Sequence, residues 1–166
     1  MKRAIQRIVS GGQTGADRAA LDWAIEHAIP HGGWCPGGRK AEDGPISARY
    51  NLTETLSRSY PQRTEWNVCD SDGTVIFSIA PALSGGSKRT VVLARKLGKP
   101  AIHISRQTEQ PAETLLRFIR SNNIHILNVA GPRRSKEPDV GEFVKRVLDS
   151  ALGDYDLLHR PIQAGA

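Results

Sequence analysis

The sequence predicts an α/β fold in three layers, a mostly parallel β-sheet with helices packed on both faces. Three observations carry this. Short β-branched or apolar runs alternate with segments whose apolar residues recur at helical spacing. One run, Val75-Ile76-Phe77, is apolar without a break, the pattern of a strand buried on both faces. Two runs, one ending in Ile8-Val9 and one spanning residues 74–79, lead through glycines into a helix.

Taken in order, residues 7–10 form the first predicted strand. Ser10-Gly11-Gly12-Gln13-Thr14-Gly15-Ala16-Asp17 follows, opening a helix on Leu21, Ala24, Ile25, Ala28 and Ile29 that must end before Pro30. Residues 31–63, rich in glycine, proline and charge, are expected as a long ordered loop packed through Trp34 and Ile46, with a short strand inside residues 32–40. Asp72-Gly73 reads as a turn before the central strand at 74–79. Ser84-Gly85-Gly86-Ser87-Lys88-Arg89-Thr90 then enters a helix on Val91, Val92, Ala94 and Leu97, closed by Gly98-Lys99-Pro100. Residues 101–105 form another strand, and Pro111 suits the first position of a helix on Leu115, Leu116 and Ile119. The last strand, 124–130, ends in Gly131-Pro132-Arg133-Arg134-Ser135. Asp139 and Glu142 suggest a cap for the final helix, whose stripe of Val140, Phe143, Val144, Val147, Leu148 and Ala151 is core. One domain is expected over residues 1–153, with a loosely ordered C-terminal tail at 154–166.

Composition narrows the class. At 166 residues, with 39% hydrophobic and 24% charged residues, the chain is an ordinary globule large enough for a single core. No apolar run approaches membrane-spanning length and no secretory h-region is visible, so a cytoplasmic location is expected and a membrane partner is not. Cys35 and Cys69 are too few for a disulfide framework, and the five histidines lack metal-ligand spacing, so no metal site is expected. The net charge of +6 permits nucleic-acid binding. The basic residues form no long run, however, and aromatics are only 5%, so a pocket for an acidic small ligand accounts for the charge equally well.

The two glycine turns carry the chemistry. A strand–glycine–helix junction aims unpaired N–H groups and the positive end of the helix dipole at one point, where a phosphate is stabilised. In the first turn Ser10 stands where the dinucleotide fingerprint has its first glycine, and no P-loop pattern occurs. Thr14 and Asp17 also match a capping box, so Asp17 is read first as a cap. In the second turn Lys88 and Arg89 sit in the first helical turn, unfavourably for the dipole unless an anion compensates. The ligand-binding candidates are therefore Gly11, Gly12, Gln13, Thr14 and Gly15, a second wall of Ser84, Gly85, Gly86 and Ser87, and the cations Arg39, Lys88 and Arg133. In open parallel sheets such loops meet beyond the carboxyl ends of the strands.

Ser10-Gly11-Gly12-Gln13-Thr14-Gly15-Ala16-Asp17-Arg18-Ala19-Ala20-Leu21-Asp22 resembles the molybdenum carrier family. The likeness continues through Gly33-Trp34-Cys35-Pro36, Ala41-Glu42-Asp43-Gly44-Pro45 and Arg63-Thr64-Glu65-Trp66-Asn67-Val68, and it covers most of residues 7–105. This resemblance implies a Rossmann-like fold related to lysine-decarboxylase-like nucleotide phosphoribohydrolases. It also implies a nucleotide-like ligand, with molybdenum cofactor, a phosphorylated pterin holding the metal, as the carried molecule. Pairing through helices into a homo-oligomer is expected by analogy. Those hydrolases carry P-G-G-x-G-T-x-x-E, and laid on residues 84–92 Val92 falls where the catalytic glutamate stands. A hydrophobic side chain neither stabilises an oxocarbenium-like centre nor moves a proton.

The leading expectation is thus a carrier or sensor for a phosphorylated nucleotide-like molecule. The alternative is a nucleotide-processing enzyme acting on a glycosidic bond, with Glu65 or Asp43 as its acid. Nucleic acid is the weakest of the three readings.

Overall fold

The computed structural model describes residues 5–153. The uninterrupted apolar run becomes β5 (Gly73–Ser78), whose six residues are all buried. It lies inside a five-stranded sheet of β1 (Arg7–Val9), β2 (His31–Gly32), β5, β6 (Ala101–Ser105) and β7 (Ile126–Ala130), in the order β2-β1-β7-β5-β6. Every pairing is parallel, with Val9 opposite Asn128 and Val75 opposite both Val129 and Ile102. The α/β class and the mostly parallel sheet agree with the sequence. The predicted tail at 154–166 lies outside the described residues.

Side chains alternate across a strand, so Val75 and Phe77 point to one face and Thr74, Ile76 and Ser78 to the other. On the first face Phe77, Leu127, Val129 and Ile104 meet Trp23, Leu115, Phe143, Val144 and Leu148 in the main core. These come from α1 (Ala16–Glu26), α4 (Pro111–Ser121) and α5 (Val140–Leu152). The helices α2 (Tyr60–Cys69) and α3 (Gly85–Lys96) contribute nothing to that core and pack against each other on the second face. A smaller core of Leu21, Cys35, Ala41, Ile46 and Tyr50 anchors the long segment after β2. That segment adds a ribbon of β3 (Trp34–Cys35) and β4 (Thr53–Glu54).

Three expectations are corrected. The loop expected over residues 31–63 gives way at Tyr60 to α2, which runs on through residues 64–69, where the sequence predicts no element; only Asn67 and Val68 of α2 are buried, too few apolar contacts to give a periodic signal. The Thr14–Asp17 capping box does not form, because α1 begins at Ala16 with Gly15 at the N-cap. Asp139 is the N-cap of α5, as its position suggested, but makes no side-chain capping bond.

Candidate functional site

The connections from β1 and β5 diverge. From β1 the chain crosses through α1 to β2 at one edge, and from β5 it crosses through α3 to β6 at the other. Strand β7 lies between them, so the crevice beyond its carboxyl end is where an open parallel sheet receives ligands. The loop after β7 is bonded to both glycine turns. The Arg134 N–H donates to Thr14 Oγ1 (3.1 Å), and the Ala16 N–H donates to the Pro132 carbonyl (3.2 Å). On the other side the Glu137 carboxylate accepts the N–H groups of Ile79 (2.8 Å) and Ala80 (3.0 Å), and Lys136 Nζ donates to Ser84 Oγ (2.7 Å). All three loops thus lie on one edge. Gly15, at φ 82°, is wedged against this loop; a Cβ there would stand 2.5 Å from the Pro132 carbonyl oxygen.

The first glycine turn is closed. Gly11, Gly12, Gln13 and Thr14 are buried. The Arg63 guanidinium lies on Gly11, with Nη1 only 1.7 Å from where a Cβ would be, and Ile46 and Leu52 cover Gly12. Arg63 Nη1 donates to Asp17 Oδ2 (2.9 Å), which also accepts the Gln13 N–H (3.3 Å). Burial pushes the Asp17 carboxyl up from its ordinary range, against the pull of Arg63. The positive end of α1 therefore already faces a carboxylate of the chain itself. Gln13 Oε1 accepts the N–H groups of Thr14 and Glu42 (both 3.0 Å), so it too is engaged within the fold.

Glu42 and Arg39 hold the cover in place. Glu42 accepts the Thr14 hydroxyl, the Ser135 N–H (3.1 Å) and the Ser135 hydroxyl, with Arg133 Nε 3.7 Å away. The hydrogen bonds from Ser135 and Thr14 hold its carboxyl below the usual range. Asp43 is similarly lowered by Arg18, whose Nη2 donates to Oδ1 at 2.9 Å. Arg39 donates to the carbonyls of Ile46 (2.8 Å), Ser47 (2.7 Å), Tyr50 (2.9 Å) and Leu52 (3.3 Å), shaping the 46–52 turn.

The second glycine turn is open. Ser84 is the N-cap of α3; Gly85, at φ 55°, and Gly86 follow, and all three are exposed. No acidic residue occupies the first turn of α3, and nothing lies within 4 Å of a methyl built on Gly86. Ser87 is buried beneath, and Lys88 is exposed. Lys136, through its bond to Ser84, brings a cation to the turn. The arrangement joins first-turn amides, a lysine and an exposed surface, the elements that oxyanion recognition at a helix start requires. Lys136 and Arg63 were not among the sequence candidates. Lys136 adjoins the basic run at 133–134, whereas the place of Arg63 depends on the unforeseen α2.

Among the described residues, no group of three or more His, Cys, Asp and Glu can hold a metal ion, and no helix is long and apolar enough to cross a membrane. Cys35 is buried, and burial pushes its thiol up.

Fold and loop arrangement define an open parallel α/β protein whose glycine turns meet the loop after β7 at the topological switch point. The chain belongs to the circularly permuted YpsA SLOG family, whose pattern matches residues 8–152. Among solved structures it is similar to a crystal structure from Syntrophus aciditrophicus SB named "putative molybdenum carrier protein". The two share 46% identity over 92% of this chain and 98% of the other, with a TM-score of 0.87. The resemblance to molybdenum carriers read from the sequence is thereby borne out. No curated protein matches the chain.

Proposed function

We propose that this protein binds a phosphorylated, nucleotide-like small molecule, the class to which molybdenum cofactor belongs, and acts as its carrier or sensor. The observation that carries this reading is the exposed N-terminus of α3, free of acidic residues and bracketed by Lys88 and Lys136. A phosphate seated there accepts the amides of Gly85, Gly86 and Ser87 and offsets the cations that otherwise oppose the helix dipole. Arg133, its side chain half exposed, adds charge from the neighbouring loop. The turn of Gly11, Gly12, Gln13 and Thr14, buried, and Gly15, half-buried, forms the fixed wall, with Arg39 holding the 46–52 segment that covers Gly12. A carrier needs donors and shape but no nucleophile. Both carboxylates on this loop network, Glu42 and Glu137, are occupied by hydrogen bonds within the fold.

A thermal-shift panel of nucleoside monophosphates, phosphorylated pterins and molybdate tests the reading. A rise in melting temperature with a phosphorylated member is expected, since a ligand bound only by the native state stabilises it. No stabilisation by any member would overturn it. Release of free base from a nucleoside monophosphate would favour the hydrolase instead.

A further inference from the structure

From residue 73 to residue 108 the chain contains no aspartate or glutamate, yet it holds six lysines and arginines. Four of these cations stand on α3 without forming a run in sequence. Lys88 and Arg95 are seven residues apart, as are Arg89 and Lys96, so each pair recurs on one face after two turns. Val92 falls between the pairs and is 55% exposed. All four cations are exposed, and among the described residues no ion pair or side-chain hydrogen bond engages them. The last pair suits the helix dipole; the first opposes it. The outer face of α3 is therefore a square of uncompensated positive charge on a rigid element, about 10–12 Å long by helical rise.

We propose that this face binds the phosphate backbone of nucleic acid, independently of base sequence. Charge complementarity to a polyanion is what the surface offers. An acidic protein would need an apolar centre and about 800 Å² from each partner, but on α3 and its C-cap the large hydrophobics that are exposed are Val92 and Leu97 alone. A second copy of α3 would set cation against cation. Phosphates demand neither apolar contact nor aromatic platforms, since neutralisation and counterion release supply the affinity.

The test is fluorescence anisotropy with a labelled 20-nucleotide oligothymidine and a 20-base-pair duplex, at 50 and 200 mM salt, on wild type and on R95Q/K96Q. Arg95 and Lys96 lie at the far end of α3 from Ser84, so the double variant leaves the proposed small-molecule site intact. Its thermal shift with nucleoside monophosphates serves as the folding and site control. Expected are binding at 50 mM salt and a steep loss at 200 mM. In R95Q/K96Q the affinity should fall at least tenfold, and the single-strand salt slope should drop by about 1.4, at about 0.7 per cation removed. Absence of binding to both nucleic acids at 50 mM salt would overturn the proposal. So would unchanged binding in R95Q/K96Q, or equally tight binding to poly-L-glutamate, which would favour an acidic protein partner. None of these outcomes bears on the small-molecule site, whose own panel decides it separately.

Discussion

Arg63 and Asp17 meet at 2.9 Å directly above Gly11, joining α2, the first glycine turn and the N-terminus of α1 in one buried contact. The Asp17 side chain is 4% exposed and that of Arg63 14%, so water does little to screen the pair. Arg63 Nε is buried without a hydrogen-bond partner, so the guanidinium is held by the one carboxylate and by packing. A Cβ at position 11 would meet the guanidinium, so any larger residue there must displace Arg63 from Asp17.

Arg63→Met should destabilise the fold by about 3–5 kcal/mol, because Asp17 is left buried and unpaired. Gly11→Ala should cost roughly 3 kcal/mol by displacing the same guanidinium. Urea denaturation of both variants measures this. A loss under 1 kcal/mol in each would mean that the contact is incidental.

Glu42 gives a pH signature. Its folded carboxyl is lowered from the ordinary 4.5 by the bonds from Ser135 and Thr14. Its contribution is therefore present above about pH 4.5 and lost as the pH falls through the folded value. The stability difference between wild type and Glu42→Gln should be flat from pH 7 to 5 and shrink below that. Asp17 has the opposite sign: its folded carboxyl is raised from 3.8, so its contribution is present below that value and lost as the pH rises through the folded one. Denaturation midpoints of Glu42→Gln and Asp17→Asn between pH 3 and 7 should diverge accordingly, and parallel profiles would contradict the assignment.

Glu42 also clasps the cover over the first turn. Glu42→Ala should speed amide hydrogen exchange in residues 41–52 and at Ser135 while leaving β5 and α5 protected. Uniform exchange throughout, or no change anywhere, would show that other contacts hold the cover.

The sheet was legible because its signals are local. The unbroken apolar run of β5, the glycine turns after β1 and β5, and Pro111 at the start of α4 each state their structure within a few residues. Helix α2 was not, since it buries only Asn67 and Val68 and owes its place to Arg63 reaching Asp17 across 46 residues. The Thr14–Asp17 motif misled for the same reason. Both side chains satisfy caps on paper, yet distant partners, Glu42 for Thr14 and Arg63 for Asp17, claim them. Sequence also treated the two glycine turns alike. Ile46 and Leu52, which close the first, come from a segment whose fold over Gly12 no local pattern announces.

Open space at Gly86 separates folding from binding. Gly86→Ala meets nothing within 4 Å and lies inside a helix, so it should raise stability by about 0.5–1 kcal/mol. The added methyl should at the same time obstruct ligand approach and weaken nucleotide affinity about tenfold. Calorimetric titration beside a thermal melt reads both quantities. Unchanged affinity would place the ligand elsewhere.

On the proposed function, an anion binds at the exposed N-terminus of α3 and not at the covered N-terminus of α1. The most direct measurement is a nitrogen-15 NMR titration with a nucleoside monophosphate, repeated with a phosphorylated pterin. The amides of Gly85, Gly86 and Ser87 should shift first and furthest, with Lys136→Met weakening the response. Shifts centred on Gly11, Gly12 and Gln13, or none at either turn, would contradict it.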